Sequence, residues 1–148
     1  MYKIRFRHEN QIDKRIAILK AYFKKGDAGD MDLLNLFTDD VEIFVPKFGY
    51  RYGKTAIKQF VAGLSRALKS IQHYPDEYHY YSSGDTIIVE GRETGILKDG
   101  TAFPVKGRTD GRFVSVFTFK GDKIAKMHIY MDPDFAGRDR LRFYWDKV

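Results

Sequence analysis

Imidazole and carboxylate groups carry most of the chemistry available to this 148-residue chain, which has four histidines and no cysteine. The absence of cysteine excludes disulfides, thiolate metal sites and cysteine nucleophiles. The histidines, at positions 8, 73, 79 and 128, form no H-x-H or H-x-x-x-H pair, so we expect no zinc site. The chain also lacks a GxGxxG, a P-loop and a GxSxG motif. We therefore expect neither a metal nor a cofactor.

Two aspartates flank a proline in Asp132-Pro133-Asp134. Carboxylates this close in sequence could bind a cation. The same tripeptide is typical of a turn at the end of a strand, because proline fixes φ. We favour the turn.

Aromatic residues are abundant, with 12 Phe, 10 Tyr and 1 Trp, and such side chains can line a cavity or a partner surface. The formal net charge of +6 raises the question of an anionic or nucleic-acid partner, but the basic residues are spread along the whole chain. The length indicates one domain over residues 1–148. No apolar run is long enough for a membrane span or a signal peptide, and a cytoplasmic location is expected.

Three helices are predicted in the first half. The first begins with Asn10 as N-cap, ends at Gly26 and has apolar residues at spacings of three and four. A short helix follows with Asp30 as its cap, and a third begins with Thr55 as its cap and continues as an apolar stripe to Leu68.

The second half has the period of two that is typical of strands. Consecutive hairpins predict an antiparallel meander with strands over Tyr78–Ser82, Thr86–Leu97, Ala102–Phe119 and Ile124–Met131. An earlier strand, Val41–Val45, ends at Pro46.

One strand of the meander is apolar on both faces, with Val114 and Val116 on one and Phe113 and Phe117 on the other. A strand of this kind is covered on both sides. The helices supply one cover. The other is either the C-terminal segment from Phe135 onward or a second subunit, and we favour a homodimer.

The order of these elements resembles the nuclear-transport-factor-2-like superfamily, and its SnoaL-like branch in particular. The resemblance covers residues 12–134 and is carried by the GDAGD turn, the TDD segment, the strand ending in proline, the GKT helix and the closing IYMDPDF. It implies an α+β cone, in which a strongly bent antiparallel sheet packs on three helices and encloses a hydrophobic cavity.

Two known chemistries of this superfamily lack their residues here. Ketosteroid isomerase places a carboxylate base just before the proline of the first strand, where this chain has Val45, and a carboxylic acid near the position of Arg112. Limonene-epoxide hydrolase holds an arginine between two aspartates. Arg108 and Asp110 resemble part of that trio, but Ile129 stands where the second aspartate would be.

A third comparison matches better. Lindane dehydrochlorinase and scytalone dehydratase pair an aspartate after the first helix with a histidine just before the meander, and Asp27 and His73 stand in those places. The resemblance implies that His73 is a general base oriented by Asp27, with Tyr22 as hydrogen-bond donor. The expected reaction is a cofactor-independent elimination, dehydration or isomerisation.

The alternatives stay open at this point. Asp27 and His73 also fit a turn residue and an exposed strand residue, and the protein is then a binding module without turnover. Nucleic-acid binding by Tyr78, Tyr80 and Tyr81 is not favoured, because alternation sends these rings to both faces of a strand. The predicted partner is a small hydrophobic molecule. Its predicted cavity residues are Phe44, Phe60, Leu64, Arg112, Val114, Val116, Met127, Ile129 and Met131.

Overall fold

The computed structural model describes residues 2–139, with side chains from residue 9 onward. Two α-helices and a 3₁₀ helix pack on eight strands in this part of the chain. The helices are α1 (Tyr2–Asp27), the 3₁₀ helix (Met31–Leu36) and α2 (Gly53–Ala67). The strands are β1 (Phe37–Val45), β2 (Gly49–Tyr52), β3 (Leu68–His73), β4 (His79–Ser83), β5 (Thr86–Leu97), β6 (Ala102–Phe103), β7 (Arg112–Lys120) and β8 (Lys123–Met131).

The eight strands form one sheet in the order β2-β1-β8-β7-β5-β3 within the described residues, with β4 and β6 also paired to β5. The long strand β5 changes partners along its length. Its first half pairs with β4 and β7, and its second half pairs with β3 and β6. This arrangement confirms the predicted α+β cone. The sheet is mixed, because β1 runs parallel to β8 while the other pairs are antiparallel.

The helix boundaries differ from the predicted caps in two places. Helix α1 runs through Asn10, because no proline or glycine precedes it to stop the helix. Helix α2 begins at Gly53, so Thr55 lies inside its first turn and is not the cap. The Asp30 cap is confirmed, since its carboxylate accepts a hydrogen bond of 2.9 Å from the backbone N of Asp32.

Four strands differ from prediction. Strand β1 begins at Phe37 and not at Val41, because Phe37 already pairs with Ile124 of β8. Strand β2, which pairs with β1, was not predicted.

The stretch Ala102–Phe119 is not one strand, because a loop separates β6 from β7 where Pro104 has no backbone N–H to donate. Strand β3 was not predicted. Leu68 continues the apolar stripe of α2 in sequence, but the helix ends at Ala67 and Leu68 pairs with Leu97.

The inner face of the sheet and the helices share one apolar core. Leu19 and Phe23 of α1 are buried against the inner-face strand residues, among them Phe117 and Met127. Val114 and Val116 lie half-buried on the outer face, while Phe113 and Phe117 are buried inside, as the alternation predicts. Phe135 packs with Phe103 and Leu68 in a second, smaller cluster. The predicted contribution of residues 140–148 lies outside the described part of the chain.

None of the helices over the described residues is both long and apolar enough to cross a bilayer.

Candidate active site

His73 lies between two carboxylates at the inner end of β3. Its Nδ1 is 2.5 Å from Asp27 Oδ1, and its Nε2 is 3.2 Å from Glu93 Oε2. The second oxygen of Asp27 accepts hydrogen bonds from the backbone N of His73 at 2.7 Å and from Gln72 Nε2 at 3.2 Å. The His73 and Asp27 side chains are 14% and 13% exposed, and that of Glu93 is 7% exposed. The three groups form a nearly buried ionic cluster.

Three elements bring this cluster together. Asp27 is the last residue of α1, and Glu93 is directly opposite His73 in the β3–β5 pairing. The imidazole packs against Phe23, with ring centroids 4.9 Å apart, and against Phe113 at 5.8 Å. The aromatic rings thus surround the imidazole with apolar contacts, and its polar contacts are with the carboxylates.

The surroundings of His73 favour its protonated form. Burial by itself lowers the pKa of the imidazole, but the hydrogen bonds to Asp27 and Glu93 and their negative charges outweigh burial. The pKa of His73 is raised from 6.5 to about 9. At neutral pH, therefore, His73 is an imidazolium that donates to one carboxylate on each side.

Tyr22 lies one helical turn before the end of α1, near the same cluster. Burial raises the pKa of its hydroxyl, and the negative charges of Glu93 and Asp27 raise it further. The hydroxyl therefore stays protonated and can act only as a neutral donor or acceptor. The ring packs edge-on against Phe37 and Phe117 of the core.

Two cavities reach His73. The larger, of about 300 Å³, lies between α1, α2 and β3 and is bordered by Asp27 and Tyr22. The smaller, of about 40 Å³, lies deeper and is bordered by Glu93 and Ser115. They have six lining residues in common, which are Tyr22, Phe23, Phe60, Leu64, Ile71 and His73. The inner cavity has room for one or two non-hydrogen atoms. A molecule in the outer cavity could place a small group there.

Four of the residues predicted for the cavity line the two cavities at His73. Phe60 and Leu64 line both cavities at His73, and Ile129 and Met131 line the inner one. Met127 is fully buried in the core and lines neither cavity at His73.

The predicted placement of four other residues in the cavity is corrected, because their strands point these side chains to the outer face of the sheet. Val114 and Val116 alternate with the buried inner residues of β7. Phe44 stacks with Tyr50 at 4.7 Å on that face. Arg112 is exposed there and binds Asp110 Oδ2 at 2.8 Å.

Glu93 was not identified from the sequence as a candidate catalytic residue. A signal was available, since in an alternating strand Glu93 has the parity of Ile87 and Val89, and both of these are buried. A glutamate on the buried face of a strand needs a partner. The identity of that partner depends on the β3–β5 register, which the sequence pattern did not include.

The remaining polar candidates do not join the cluster. His128 Nε2 lies 2.8 Å from Glu42 Oε1 on the outer face, and His79 is exposed there. Asp132 Oδ1 accepts from the backbone N of Asp134 at 2.9 Å, which is the geometry of a turn. In the described part of the chain, no three His, Asp or Glu side chains are arranged to hold a metal ion.

The fold and the cavity define a class of protein: a nuclear-transport-factor-2-like cone with an ionisable cluster at the wall of an apolar cavity. The profile of the SnoaL-like domain matches residues 19–127. The chain belongs to the SnoaL-like family. No curated protein matches the chain significantly.

Solved structures of low sequence identity share the fold. An NTF2-like protein from Anabaena variabilis is 22% identical with a TM-score of 0.70, over 85% of this chain and 92% of that one. A proposed polyketide cyclase from Xanthomonas campestris pv. campestris is 15% identical with a TM-score of 0.67, over 82% and 93%. A proposed isomerase from Bacillus subtilis is 19% identical with a TM-score of 0.65, over 83% and 89%.

Proposed function

We propose that the protein binds a small, largely apolar molecule between α1, α2 and β3 and transfers a proton on it, as a cofactor-independent lyase or isomerase. The observation that carries this proposal is a histidine held between two carboxylates at the wall of an apolar cavity. Buried ionisable groups at a cavity are typical of acid–base sites. The two solved structures described as a cyclase and an isomerase fit this class but are too distant to assign a reaction.

The protonation state of the cluster assigns the roles. The imidazolium of His73 is a donor at neutral pH, so it differs from the base that the sequence suggested. Glu93 is the base: its carboxylate removes a proton from a carbon next to a carbonyl. As Glu93 takes up the proton its negative charge is neutralised, and the Nε2–H of His73 then donates to the carbonyl oxygen, which becomes an enolate.

The enolate can then react in one of two ways. In an isomerase, Glu93 returns the proton to a different carbon. In a lyase, the C–H electron pair forms a double bond, the bond to the leaving group breaks, and the leaving group takes a proton from His73 Nε2. The proton that Glu93 removed then passes to His73 Nε2, 3.2 Å away, and restores the starting state. Asp27 keeps the imidazolium oriented, and Tyr22 offers a neutral hydroxyl to the same region.

A second candidate function is ligand binding without turnover. It is favoured by the fact that protein carboxylates already contact both nitrogens of His73. In that case the cluster joins α1 to β3 and β5, and the outer cavity alone holds the ligand.

A generic carbon acid separates the two candidates. We expect the protein to open the ring of 5-nitrobenzisoxazole, a reaction that needs only a base and is followed by absorbance. Glu93→Gln should lower the rate by about 100-fold or more, since general-base catalysis typically contributes that much. Glu90→Gln is the matched control, because Glu90 is on the same strand but on the outer face, near Arg112. An unaccelerated reaction, or equal rates for the two variants, would leave only the binding function.

The outer face of the sheet supports a homodimer. The strand registers place Phe44 beside His128, and Val116 between His128 and Ile88. Together these side chains form a band across the outer face. Tyr50, beside Phe44, extends the band at one end, and Tyr81, beside Ile88, extends it at the other. Both tyrosines are about half exposed. A band of apolar and aromatic side chains across one face is typical of an interface, and the same band on a second copy can cover it.

Light scattering should therefore give twice the chain mass at micromolar concentration. Val116→Lys should give the monomer mass, because it puts a charge in the middle of the band. Ala62→Lys adds the same charge on the exposed face of α2 and should leave the dimer intact. A monomeric wild-type protein would contradict this arrangement.

A further inference from the structure

A third cavity, of about 540 Å³, lies on the opposite flank of α2 from His73. Helix α2 lies between this cavity and the outer cavity at His73. Phe60 and Leu64 line both of them, whereas Val61 lines only the outer cavity at His73 and Gly63 lines only the third cavity. The apolar wall of the third cavity is formed by Ile43, Val45, Phe60, Leu64, Met131 and Phe135. Its volume is in the range of cavities that hold small organic ligands.

The charged residues at this cavity are both arginines. Arg51 of β2 and Arg66 of α2 line it, and no Asp or Glu does so among the described residues. Arg51 donates to the carbonyl of Tyr50 at 2.7 Å, and neither arginine forms an ion pair within residues 9–139. By contrast, Arg15 and Arg92 each bind a carboxylate at 2.9 Å or less. The cavity therefore combines apolar walls with positive charge that no carboxylate within residues 9–139 neutralises.

We infer that this cavity binds an amphipathic carboxylic acid, with the carboxylate at Arg51 and Arg66 and the apolar body against β1 and α2. Guanidinium groups match carboxylates through paired hydrogen bonds. The apolar walls select a hydrocarbon or aromatic body rather than a polar one. This site is independent of the proposed proton transfer, because none of Asp27, His73 and Glu93 lines it.

Titration calorimetry with 4-phenylbutyrate and the neutral 4-phenylbutan-1-ol tests the role of charge. The acid should bind the wild-type protein about tenfold more tightly than the alcohol, since hydrogen bonds between charged groups are stronger than those of a neutral hydroxyl. The double variant Arg51→Gln/Arg66→Gln should lose that preference. Lys58→Gln is the control, because it removes one positive charge from an exposed position of α2 that does not line this cavity.

Methyl NMR spectra locate the binding site. With 4-phenylbutyrate, the signals of Ile43 and Val45 should shift, whereas that of Ile71, which lines the cavities at His73, should not. Equal affinities for acid and alcohol would overturn the inference. So would shifts at Ile71 instead of Ile43, or a loss in Lys58→Gln as large as in the double variant. Failure of the 5-nitrobenzisoxazole reaction has no bearing on these outcomes.

Discussion

Replacement of His73 by leucine is expected to lower the free energy of unfolding by about 3–5 kcal/mol at pH 7, which is the usual cost of removing one partner from a buried ion pair. Leucine fills a similar volume but leaves Asp27 and Glu93 as two nearly buried carboxylates without a cation between them. His79→Leu is the matched control. His79 is exposed on the outer face, so that change should stay within about 0.5 kcal/mol. Urea unfolding gives both values.

The effect should also depend on pH. The pKa of His73 is raised in the folded protein from 6.5 to about 9, so the protonated imidazole stabilises the fold fully below pH 6.5. This stabilisation is lost as pH rises through about 9. The difference between wild type and His73→Leu should therefore shrink by about 3 kcal/mol between these two pH values. A constant difference, or a cost below about 1 kcal/mol at pH 7, would mean that the imidazolium cluster does not form.

Gly95→Ala is expected to destabilise the protein by about 3 kcal/mol, at the upper end of overpacking effects. A Cβ at Gly95 would lie 2.3 Å from the backbone oxygen of Ser70 and 2.5 Å from the ring of Phe103. Neither neighbour can withdraw easily, because Gly95 pairs with β3 on one side and β6 on the other. Since Glu93 is two residues away on the same strand, any shift of β5 also moves the proposed base.

Gly63→Ala provides a comparison of opposite sign. The nearest atom to a Cβ at Gly63 is 4.0 Å away, on the flexible side chain of Arg66. Alanine in the middle of α2 should therefore stabilise the protein by about 0.5–1 kcal/mol, the helix propensity difference. Thermal and urea unfolding of the two variants, measured side by side, check both values. Destabilisation by both substitutions, or by neither, would refute the packing described around β5.

Local sequence patterns were sufficient to predict an element where the hydrophobic period and the flanking turn residues agree. Strand β5 was predicted with the bounds that the structure gives it, because turns at Gly84 and Gly100 enclose an alternating run. Strand β3 was missed for the opposite reason. Leu68 extends a helical stripe, and only hydrogen bonding to β5 ends the helix before it. Pairing between strands distant in sequence cannot be predicted from the period of either one.

In the candidate site, too, some residues could be predicted from the sequence, and others depended on pairing between distant strands. The resemblance placed Asp27 near His73, and the two side chains are in contact although they are 46 residues apart. Glu93 entered the site only through the β3–β5 register. Both faces of β7 are apolar, so alternation alone does not tell which one faces the cavity. The structure puts Phe113 and Phe117 on the inner face and Val114 and Val116 on the outer one.

The sequence by itself determined the alternation of the strands and the residue types available for proton transfer, because these depend on composition and local periodicity. The SnoaL-like class was implied by the resemblance of the order of elements to that family. Only the tertiary structure decided that His73 lies between two carboxylates and is protonated, and that α2 divides the apolar space into separate cavities. The physical reason is that protonation and cavity shape depend on burial and on the distances between charges. Both are set by which distant segments pack together.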